Sequence, residues 1–475
     1  MNIVRERKLH LFALGILLFV IVGFLLPVPA ALEACASAQG ATGRSAMCAI
    51  GGLVFAISGW VLGFLSDWEV SLISCCIWVM TTGLSFAQVF AGFHSTSLWL
   101  MFGAFVLSAA VTKSGLLSRI ALSLMLLFPA DYKGQALSLL ASGTVVGPLM
   151  PSFTAKVALG CSLSNSISDF LGYGNFSRAR TGIFIAAWTG FGLMSGLFLS
   201  ASFIPYSVLA VTPLPYGNLS WTGYLIMMIP WGIVMLSGMY LVMLLFYRPE
   251  NEAPASKDEL RAQKEALGKL SRDEKVTAVI LAACLLLWIL EKRIGISSAI
   301  VAVLGGLACF AGGVLSQEDC IKRIPWRLLV FVGVILNIGN ILNLTGVTDY
   351  IEYLMQPLMG LVGNRLLLVI ILFLLTLGLR FLIASQTATC VLVMSIFGPL
   401  AVKAGLSPLG VLGVSYTASN IWITNYQNPA YIAGLSNVEG RVKHKDTLRA
   451  SLCHVLVCLA GCLVSIPYWA ALGYL

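Results

Sequence analysis

The chain has 475 residues, of which 59% are hydrophobic and only 10% are charged, and its formal net charge is +9. So few charged side chains cannot cover the surface of a soluble protein of this length, which excludes soluble enzymes and soluble binding domains. The basic residues lie mainly between apolar runs, so the positive-inside rule explains the net charge and no nucleic-acid partner is needed. The composition predicts an all-α polytopic protein in a lipid bilayer.

The N-terminal segment carries Arg5, Arg7 and Lys8 ahead of an apolar run that ends near Ala30. This run is longer than the apolar core of a signal peptide, and further spans follow it, so we interpret it as a retained first helix. The twelve cysteines form no CxxC pair and no Cys/His cluster with metal spacing. They therefore indicate packing roles rather than a disulfide framework or a metal site.

Apolar runs long enough to cross a bilayer recur along the whole chain. The eleven candidate spans cover residues 9–30, 47–66, 70–90, 98–113, 180–211, 222–247, 277–291, 296–315, 327–345, 408–434 and 451–475. Two further apolar stretches, about 134–165 and 366–402, are too long for one span and contain polar residues, which indicates a re-entrant hairpin at each. The distribution of lysine and arginine places the N-terminus in the cytoplasm and the C-terminus outside.

The segments before and after a charged central loop form two similar halves. Gly115 corresponds to Gly346, and Ser152 to Ser385, at nearly the same offset. Each half holds five spans and one hairpin, and an odd number of spans makes the second half cross the membrane in the opposite direction, as in the inverted repeats of secondary transporters. The predicted organisation is an N-terminal helix with an outside loop (1–46), a first inverted repeat (47–247), a cytoplasmic linker (248–276) and a second inverted repeat (277–475).

Both predicted hairpins carry hydroxyl or amide side chains at the tip, with Lys156 after the first tip and Arg380 before the second. A fixed charge at membrane depth is costly unless it is paired, which favours a functional role. The alternative is that one or both side chains extend to the membrane interface. Hydroxyl donors flanked by cations suit a small molecule with two or more carboxylates. The predicted substrate-binding residues at the tips are Ser152, Thr154, Lys156, Arg380, Ser385, Gln386 and Thr387.

Each predicted hairpin is followed by a span that polar residues and a proline interrupt, Pro205 in the first half and Pro429 in the second. Such interruptions free backbone carbonyls to bind a cation and leave helix N-termini pointing at an anion. One interruption alone could be a simple proline kink. Two at matching positions favour a binding site, which adds Thr424 and Asn425 to the predicted substrate-binding residues.

These motifs resemble those of the divalent-anion:sodium symporter family, and more narrowly its branch of 2-oxoglutarate/malate and citrate/succinate translocators. The family has a Ser-Asn-Thr motif at each of two opposed hairpin tips, which appears here as Ser-Phe-Thr at 152–154 and Ser-Gln-Thr at 385–387. Its later Thr-His-Tyr motif appears as Thr-Asn-Tyr at 424–426. Arg380 matches the arginine that opens the second hairpin motif of the branch.

The resemblance implies a homodimer in a bacterial inner membrane, in which each chain has a scaffold domain and a transport domain that moves as an elevator. It implies a small dicarboxylate as the substrate and no cofactor other than sodium ions. The sodium ligands that it implies are Ser152, Ser195, Ala384, Gln386 and Tyr426.

Phe153 departs from the family pattern, because it has no side-chain oxygen where the symporters have asparagine, and this weakens the first sodium site. We hypothesise that Lys156 and Arg380 partly replace mobile sodium as tethered positive charges. A permanently charged empty carrier resists returning unloaded across the membrane. The hypothesis favours secondary active transport by exchange of dicarboxylates of the 2-oxoglutarate/malate type.

Three other functions stay open. A sodium-coupled symporter of succinate or citrate needs only backbone carbonyls as sodium ligands. An anion channel needs no alternating access. An intramembrane enzyme needs a nucleophile beside a buried acid or base, and the spans offer only His454 and Glu291, so we expect no enzyme activity.

Overall fold

The computed structural model describes residues 2–150, 152–213, 216–217, 219–249, 258–355, 364–383, 385–424, 427–438 and 440–475. Across these ranges the regular elements are helices, with no β-strand, which confirms the predicted all-α class. The α-helices before the central loop are α1 (Asn2–Val20), α2 (Ala30–Ala38), α3 (Gly43–Leu62), α4 (Asp67–Thr81), α5 (Phe86–Val89), α6 (Thr96–Ser114), α7 (Leu116–Leu127), α8 (Tyr132–Val146), α9 (Phe153–Phe170), α10 (Arg178–Ala187), α11 (Ile204–Ala210) and α12 (Trp221–Phe246). The later ones are α13 (Asp258–Ala266), α14 (Arg272–Ile289), α15 (Glu291–Ile294), α16 (Ser298–Ala311), α17 (Gln317–Arg323), α18 (Trp326–Leu344), α19 (Val347–Met355), α20 (Arg365–Leu382), α21 (Gln386–Lys403), α22 (Leu409–Ser419), α23 (Pro429–Ser436) and α24 (His444–Ala471).

Several helices have the length and apolarity of membrane spans. Seven in the described ranges qualify, and an eighth does if the bent pair of α2 and α3 counts as one span. On α12 and α24, which pack against each other, Ile233 is 63% exposed and Leu456 is 69% exposed, as expected of side chains that face lipid. The chain is an integral, multi-pass membrane protein, and the predicted total of eleven spans stays a prediction.

Two glycines end corresponding helices in the two halves. Gly115 follows α6 with φ at 82°, and Gly346 lies just beyond α18 with φ at 76°. Glycine adopts this left-handed conformation without steric cost, so each helix can end there and turn into the next short helix, α7 or α19. A Cβ at Gly346 would also lie only 2.6 Å from the carbonyl oxygen of Cys35. The match supports the predicted correspondence between the halves.

The two segments predicted as hairpins each form two α-helices joined by a short connection, which in the first segment includes a 3₁₀ turn at Gly147–Leu149. We call α8 with α9 helix pair 1, and α20 with α21 helix pair 2; the two helices of each pair contact each other. Ser152 is the N-cap residue of α9, and Ser385 is the N-cap residue of α21, where its hydroxyl accepts a hydrogen bond from the backbone N–H of Ala388 at 3.3 Å. The predicted polar tips therefore coincide with helix N-termini, which favour an anion.

The two spans predicted to be interrupted do lose regular α-helical structure midway. Break 1 (residues 188–203) separates α10 from α11 and passes through a π-helical turn and two 3₁₀ turns. Break 2 (residues 420–428) separates α22 from α23 and is irregular where it is described. Helix α9 packs against α23, and α21 packs against α11. Each helix pair thus contacts the broken span of the other half.

Ion pairs gather at the membrane face predicted to be cytoplasmic. Arg119 of α7 binds Glu274 of α14 at 2.6 Å and also donates to two backbone carbonyls just after α13, which ties the end of the predicted linker to the first repeat. Lys113 binds Asp319 of α17 at 2.7 Å. The hydrogen bond from Lys113, followed by that from the backbone N–H of Ser316, holds the pKa of the Asp319 carboxyl well below its usual range.

Candidate functional site

Helix pair 1 is joined to break 1 by a buried lysine. Lys156, in the first turn of α9, is fully buried, and its Nζ donates to the carbonyl oxygen of Ala201 in break 1 at 2.5 Å. The ring of Phe153 lies 5.7 Å from the same ammonium group, within the range of a cation–π interaction. The hydroxyl of Ser200 donates to the carbonyl of Pro148, in the connection of helix pair 1, at 2.9 Å. Two contacts therefore hold tip 1, which is the connection of helix pair 1 with the first turn of α9, against break 1.

Helix pair 2 is joined to break 2 by a buried arginine. Arg380, near the end of α20, is fully buried. Its Nε donates to the carbonyl of Ser419 at 2.9 Å, its Nη1 to that of Ile383 at 2.7 Å, and its Nη2 to that of Gln427. Ser419 directly precedes break 2, Gln427 lies near the end of break 2, and Ile383 belongs to the tip. One guanidinium thus joins three segments, which its planar set of N–H donors allows and a lysine does not.

The other predicted residues at the tips differ in exposure. Thr154 is exposed, whereas Thr387 is buried, and both N-cap serines are partly exposed. Gln386 donates from Nε2 to the hydroxyl of Ser419 at 3.1 Å. Tip 2, the connection of helix pair 2 with the first turn of α21, is therefore bound through two side chains to break 2 and to Ser419, the residue before it. The hydroxyl of Thr154 at tip 1 is open to a ligand.

Break 2 contains a network of polar side chains. Nδ2 of Asn428 donates to Oδ1 of Asn420 at 2.8 Å, and Oε1 of Gln427 accepts the backbone N–H of Thr424 at 2.8 Å. The hydroxyl of Thr424 is buried and has no hydrogen-bond partner among the described residues. Such a hydroxyl costs free energy, so a ligand group beside it would complete its bonding. The predicted site residues Asn425, Tyr426 and Ala384 lie outside the described residues.

An aromatic cluster connects the two breaks. The rings of Trp188 in break 1 and Trp422 in break 2 are 5.5 Å apart, and the ring of Phe153 lies 6.0 Å from that of Trp188. Tyr431 of α23 packs against both tryptophans, at 5.4 Å and 6.0 Å between ring centroids. The fold therefore brings the two breaks together through buried rings, and Phe153 places tip 1 at their junction.

The residues around break 1 fit a sodium ion poorly. Phe153 offers no oxygen, the carbonyl of Ala201 already accepts from Lys156, and a second cation nearby would be repelled by the ammonium charge. The hydroxyl of Ser195, an implied sodium ligand, is buried and lies 3.5 Å from the carbonyl of Phe191. Among the described residues, no group of three or more His, Cys, Asp or Glu side chains could hold a metal ion such as zinc, which takes such ligands.

A cavity of about 520 Å³ lies apart from both tips. Residues of α6, α11, α18, α19 and α21 line it, and none of the predicted substrate-binding residues is among them. Its described lining includes the carboxyl group of Asp349 but no lysine or arginine, so it does not suit a molecule with two carboxylates. We therefore place the candidate site at the tips and breaks.

Sequence reasoning missed two histidines that hold break 2. Nε2 of His454 lies 3.1 Å from the carbonyl of Asn420, and Nε2 of His444 lies 3.2 Å from the carbonyl of Ile423. A signal was present, because the chain has only four histidines and two of them lie in or just before the last predicted span. Their partners are backbone carbonyls, which a search for acidic partners does not find.

The chain is similar to a known protein family and to several known membrane proteins. The profile of the family described as "Sodium:sulfate symporter transmembrane region" matches residues 7–475. Inner membrane protein YbhI of Escherichia coli (strain K12) is 25% identical over 358 residues, which is 72% of this chain and 73% of that protein. Dicarboxylate transporter 1, chloroplastic, of Arabidopsis thaliana is 25% identical over 60% of this chain and 52% of that protein. Putative malate transporter YflS of Bacillus subtilis (strain 168) is 26% identical over 62% of this chain and 64% of that protein.

Two solved structures are similar in fold. The YdaH transporter of Alcanivorax borkumensis superposes with a TM-score of 0.59 at 16% identity, covering 82% of this chain and 88% of that one. MtrF of Neisseria gonorrhoeae gives a TM-score of 0.53 at 13% identity, covering 80% of this chain and 82% of that one. At these identities the likeness shows the fold alone.

Proposed function

Because this chain belongs to the family of the sodium:sulfate symporter transmembrane region, we propose that it is a secondary active transporter that exchanges small dicarboxylates across the membrane. The family match confirms the resemblance inferred from the motifs. Relatives named as dicarboxylate and malate transporters support a dicarboxylate as the substrate class. Relatives and structural neighbours that are transporters also point away from an enzyme.

The observation that carries the exchange proposal is that each break is held by a cation of the protein itself. The ammonium of Lys156 contacts the carbonyl of Ala201, and the guanidinium of Arg380 contacts the carbonyl of Ser419, just before break 2, and that of Gln427 within it. Carbonyls freed by a helix break are the groups that a coupling cation uses in secondary transporters. Charges that cannot leave keep the empty site positive, so it crosses the membrane more readily with a bound dianion than without one.

We place the substrate between the two tips, with one carboxylate at each. The N-termini of α9 and α21 supply backbone N–H groups and the positive ends of two helix dipoles. The exposed hydroxyl of Thr154 and the hydroxyl of Thr424, which has no partner among the described residues, supply further donors. Lys156 and Arg380 act on the dianion through space, since both side chains are fully buried against backbone carbonyls.

The proposal includes two inverted repeats, a scaffold and a transport domain in each chain, a homodimer, elevator movement, and an N-terminus in the cytoplasm of a bacterial cell. The cross-packing of α9 with α23 and of α21 with α11 supports one unit that carries both tips and both breaks. The cavity between α6 and α18 on one side and α11 and α21 on the other supports a boundary between that unit and the rest of the chain.

Sodium-coupled symport of di- or tricarboxylates such as succinate or citrate is the second candidate. The description of the family itself favours it. In that case sodium would use carbonyls other than that of Ala201, because Lys156 already binds it. An anion channel has no observation in its favour.

Uptake of labelled malate by purified protein in liposomes tests the proposal. Exchange predicts uptake that requires malate inside the vesicles and is the same in sodium and potassium buffers. Sodium-driven uptake into empty vesicles would reject exchange in favour of symport. Uptake that internal malate does not stimulate would reject carrier-mediated exchange in favour of a channel.

A further inference from the structure

The imidazole of His444, the first residue of α24, contacts two other segments around break 2. Nε2 lies 3.2 Å from the carbonyl oxygen of Ile423 in break 2, and Nδ1 lies 3.2 Å from the hydroxyl of Tyr431 in α23. The hydroxyl oxygens of Tyr431 and Thr447 are 2.8 Å apart, and the hydroxyl of Thr447 donates to the carbonyl of His444 at 2.8 Å. The ring is half-buried.

Counting protons along these contacts shows which protonation state of the ring would satisfy all of them. The carbonyl of Ile423 can only accept, so Nε2 must carry a proton. Thr447 uses its single hydroxyl proton on the carbonyl of His444, so the hydroxyl of Tyr431 must donate to Thr447. The oxygen of Tyr431 is then an acceptor for Nδ1, which must carry a proton as well. All four hydrogen bonds form together only when the imidazole is doubly protonated and positively charged.

We propose that His444 is a proton-binding residue that positions break 2, and that its proton raises the affinity of the candidate site for a dicarboxylate. The proposal rests on the proposed function for the identity of the ligand. When Nδ1 loses its proton, the hydroxyl of Tyr431 must turn toward the ring, which removes its bond to Thr447. The charge-assisted bond from Nε2 to Ile423 becomes an ordinary one, so the segment leading to Thr424 is held less firmly.

His454, the second histidine that contacts break 2, differs from His444 in the number of ring protons that its contacts require. Nε2 of His454 lies 3.1 Å from the carbonyl of Asn420, but Nδ1 is buried and has no hydrogen-bond partner among the described residues. A single proton on Nε2 satisfies that contact. Of the two, His444 is the one whose surroundings call for a second proton.

Other titratable groups around His444 belong to several elements. Tyr431 on α23 is its direct partner, and Tyr247, after α12, donates to the carbonyl of Asp446 at 3.0 Å. The preceding segment carries Arg441, which binds Asp169 of α9 at 2.7 Å. Other charged groups on the segments packed nearby include Lys156, Arg178, Arg180, Arg380, Lys443, Lys445, Asp446 and Arg449. Histidine is the residue type among these whose charge ordinarily changes near neutral pH.

Malate binding to the purified protein, measured between about pH 6 and about pH 8, tests the proposal. We expect the affinity of the wild-type protein to fall about 3- to 10-fold as the pH rises, because a charge-assisted hydrogen bond is replaced by a neutral one. His444→Gln keeps a donor for Ile423 but does not titrate, and its profile should be flat apart from the titration of malate itself. A His444→Gln profile that matches the wild type would overturn the proposal.

Two further variants sharpen the result. Tyr431→Phe removes the acceptor of Nδ1, so the midpoint of the profile should move to lower pH; an unchanged midpoint overturns the proton count. If His444→Gln does not fold, His444→Arg replaces it, and this variant should keep the high affinity at every pH. His94→Gln, in the 3₁₀ turn Ala91–His94 far along the chain, is the matched control and should follow the wild type.

Hydrogen–deuterium exchange without substrate separates this proposal from the proposed function. After correction for intrinsic exchange, peptides covering residues 420–424 and 427–431 should lose protection in the wild type as the pH rises, and not in His444→Gln. Failure to bind malate at any pH would then count against the proposed function alone. Hydrogen–deuterium exchange that depends equally on pH in the wild type and in His444→Gln would count against the role of His444.

Discussion

The two breaks occupy corresponding places in the two halves but are held by different chemistry. Break 1 is fixed by the ammonium group of Lys156, by the hydrogen bond from Ser200 to the carbonyl of Pro148, and by apolar packing around Phe153 and Trp188. Break 2 is fixed by the guanidinium of Arg380, by a cluster of amide side chains and by two histidines. In both breaks a cation of the protein therefore binds freed carbonyls, whereas break 2 has more polar contacts and also the residue proposed to bind a proton, His444.

Replacing Arg380 should have the largest effect, because three carbonyl contacts depend on one side chain. In Arg380→Gln we expect malate exchange to fall at least about 100-fold, since buried carbonyls without a donor cost about 1–3 kcal/mol each. Arg380→Lys, which makes break 2 resemble break 1, should recover little of it. Initial rates of exchange in liposomes measure the loss. Normal activity of Arg380→Lys would show that the planar set of N–H donors of arginine is not required at this position.

Arg365→Gln is the matched control for that variant. Arg365 begins the same helix, α20, and is exposed. The same loss of charge at this position should leave exchange within about twofold of the wild type, as expected of a surface substitution.

Replacing Lys156 should have a smaller effect of a different kind. In Lys156→Gln the amide can still donate to Ala201, so we expect about a 10-fold loss of exchange, which corresponds to one charge-assisted hydrogen bond. The empty site also loses a fixed charge, so net uptake into vesicles without internal malate should rise relative to exchange. Lys133→Gln, at an exposed lysine of α8, supplies the control. An unchanged ratio of net uptake to exchange would show that Lys156 does not restrict the return of the empty carrier.

The tip hydroxyls should contribute less than either cation. Thr154→Val and Thr387→Val should each raise the KM for malate about 3- to 10-fold, because each removes one hydrogen-bond donor from the proposed site. Thr154 is exposed, so its variant should keep the thermal stability of the wild type. Thr112→Val, at an exposed position on α6, is the control. A double variant at 154 and 387 that folds and transports normally would rule out the tips as the place where carboxylates bind.

The smallest effect is expected at the ion pair of Lys113 with Asp319, which lies outside both breaks. Asp319→Asn should leave exchange unchanged and lower the free energy of unfolding by less than about 1 kcal/mol, since Lys113 is a third exposed. The depressed pKa of Asp319 means that this contribution is present above about pH 4 and is lost as the pH falls through the folded-state value. Thermal unfolding in detergent at neutral and acid pH measures it.

Much of the architecture was predictable from the sequence. Hydropathy predicted spans at positions where the structure has helices, and the paired glycines at 115 and 346 fell at real helix ends. The interrupted segments appeared as helix pairs and breaks, because proline and clustered polar residues are incompatible with a continuous apolar helix. The family was recognisable from the same motifs.

The partners of the buried cations were not predictable in the same way. Lys156 and Arg380 looked like direct ligands of a carboxylate, yet their N–H groups contact the backbone of the breaks. The sequence does not show which backbone carbonyls a helix break leaves without an intrahelical partner, since every residue has a backbone carbonyl. The contacts of His444 and His454 with backbone carbonyls were not predictable from the sequence for the same reason.

The cross-packing of the helix pairs also bears on how the protein is made. During synthesis α9 enters the membrane long before α23 exists, and α11 does so before α21, so neither has the partner that covers it in the finished molecule. A nascent first half therefore offers uncovered helix faces to insertion factors and proteases until translation is almost complete. If translation stopped before Pro429, the released chain would lack α23, and the face of α9 that α23 covers would stay exposed. Such fragments are therefore natural substrates for membrane quality control.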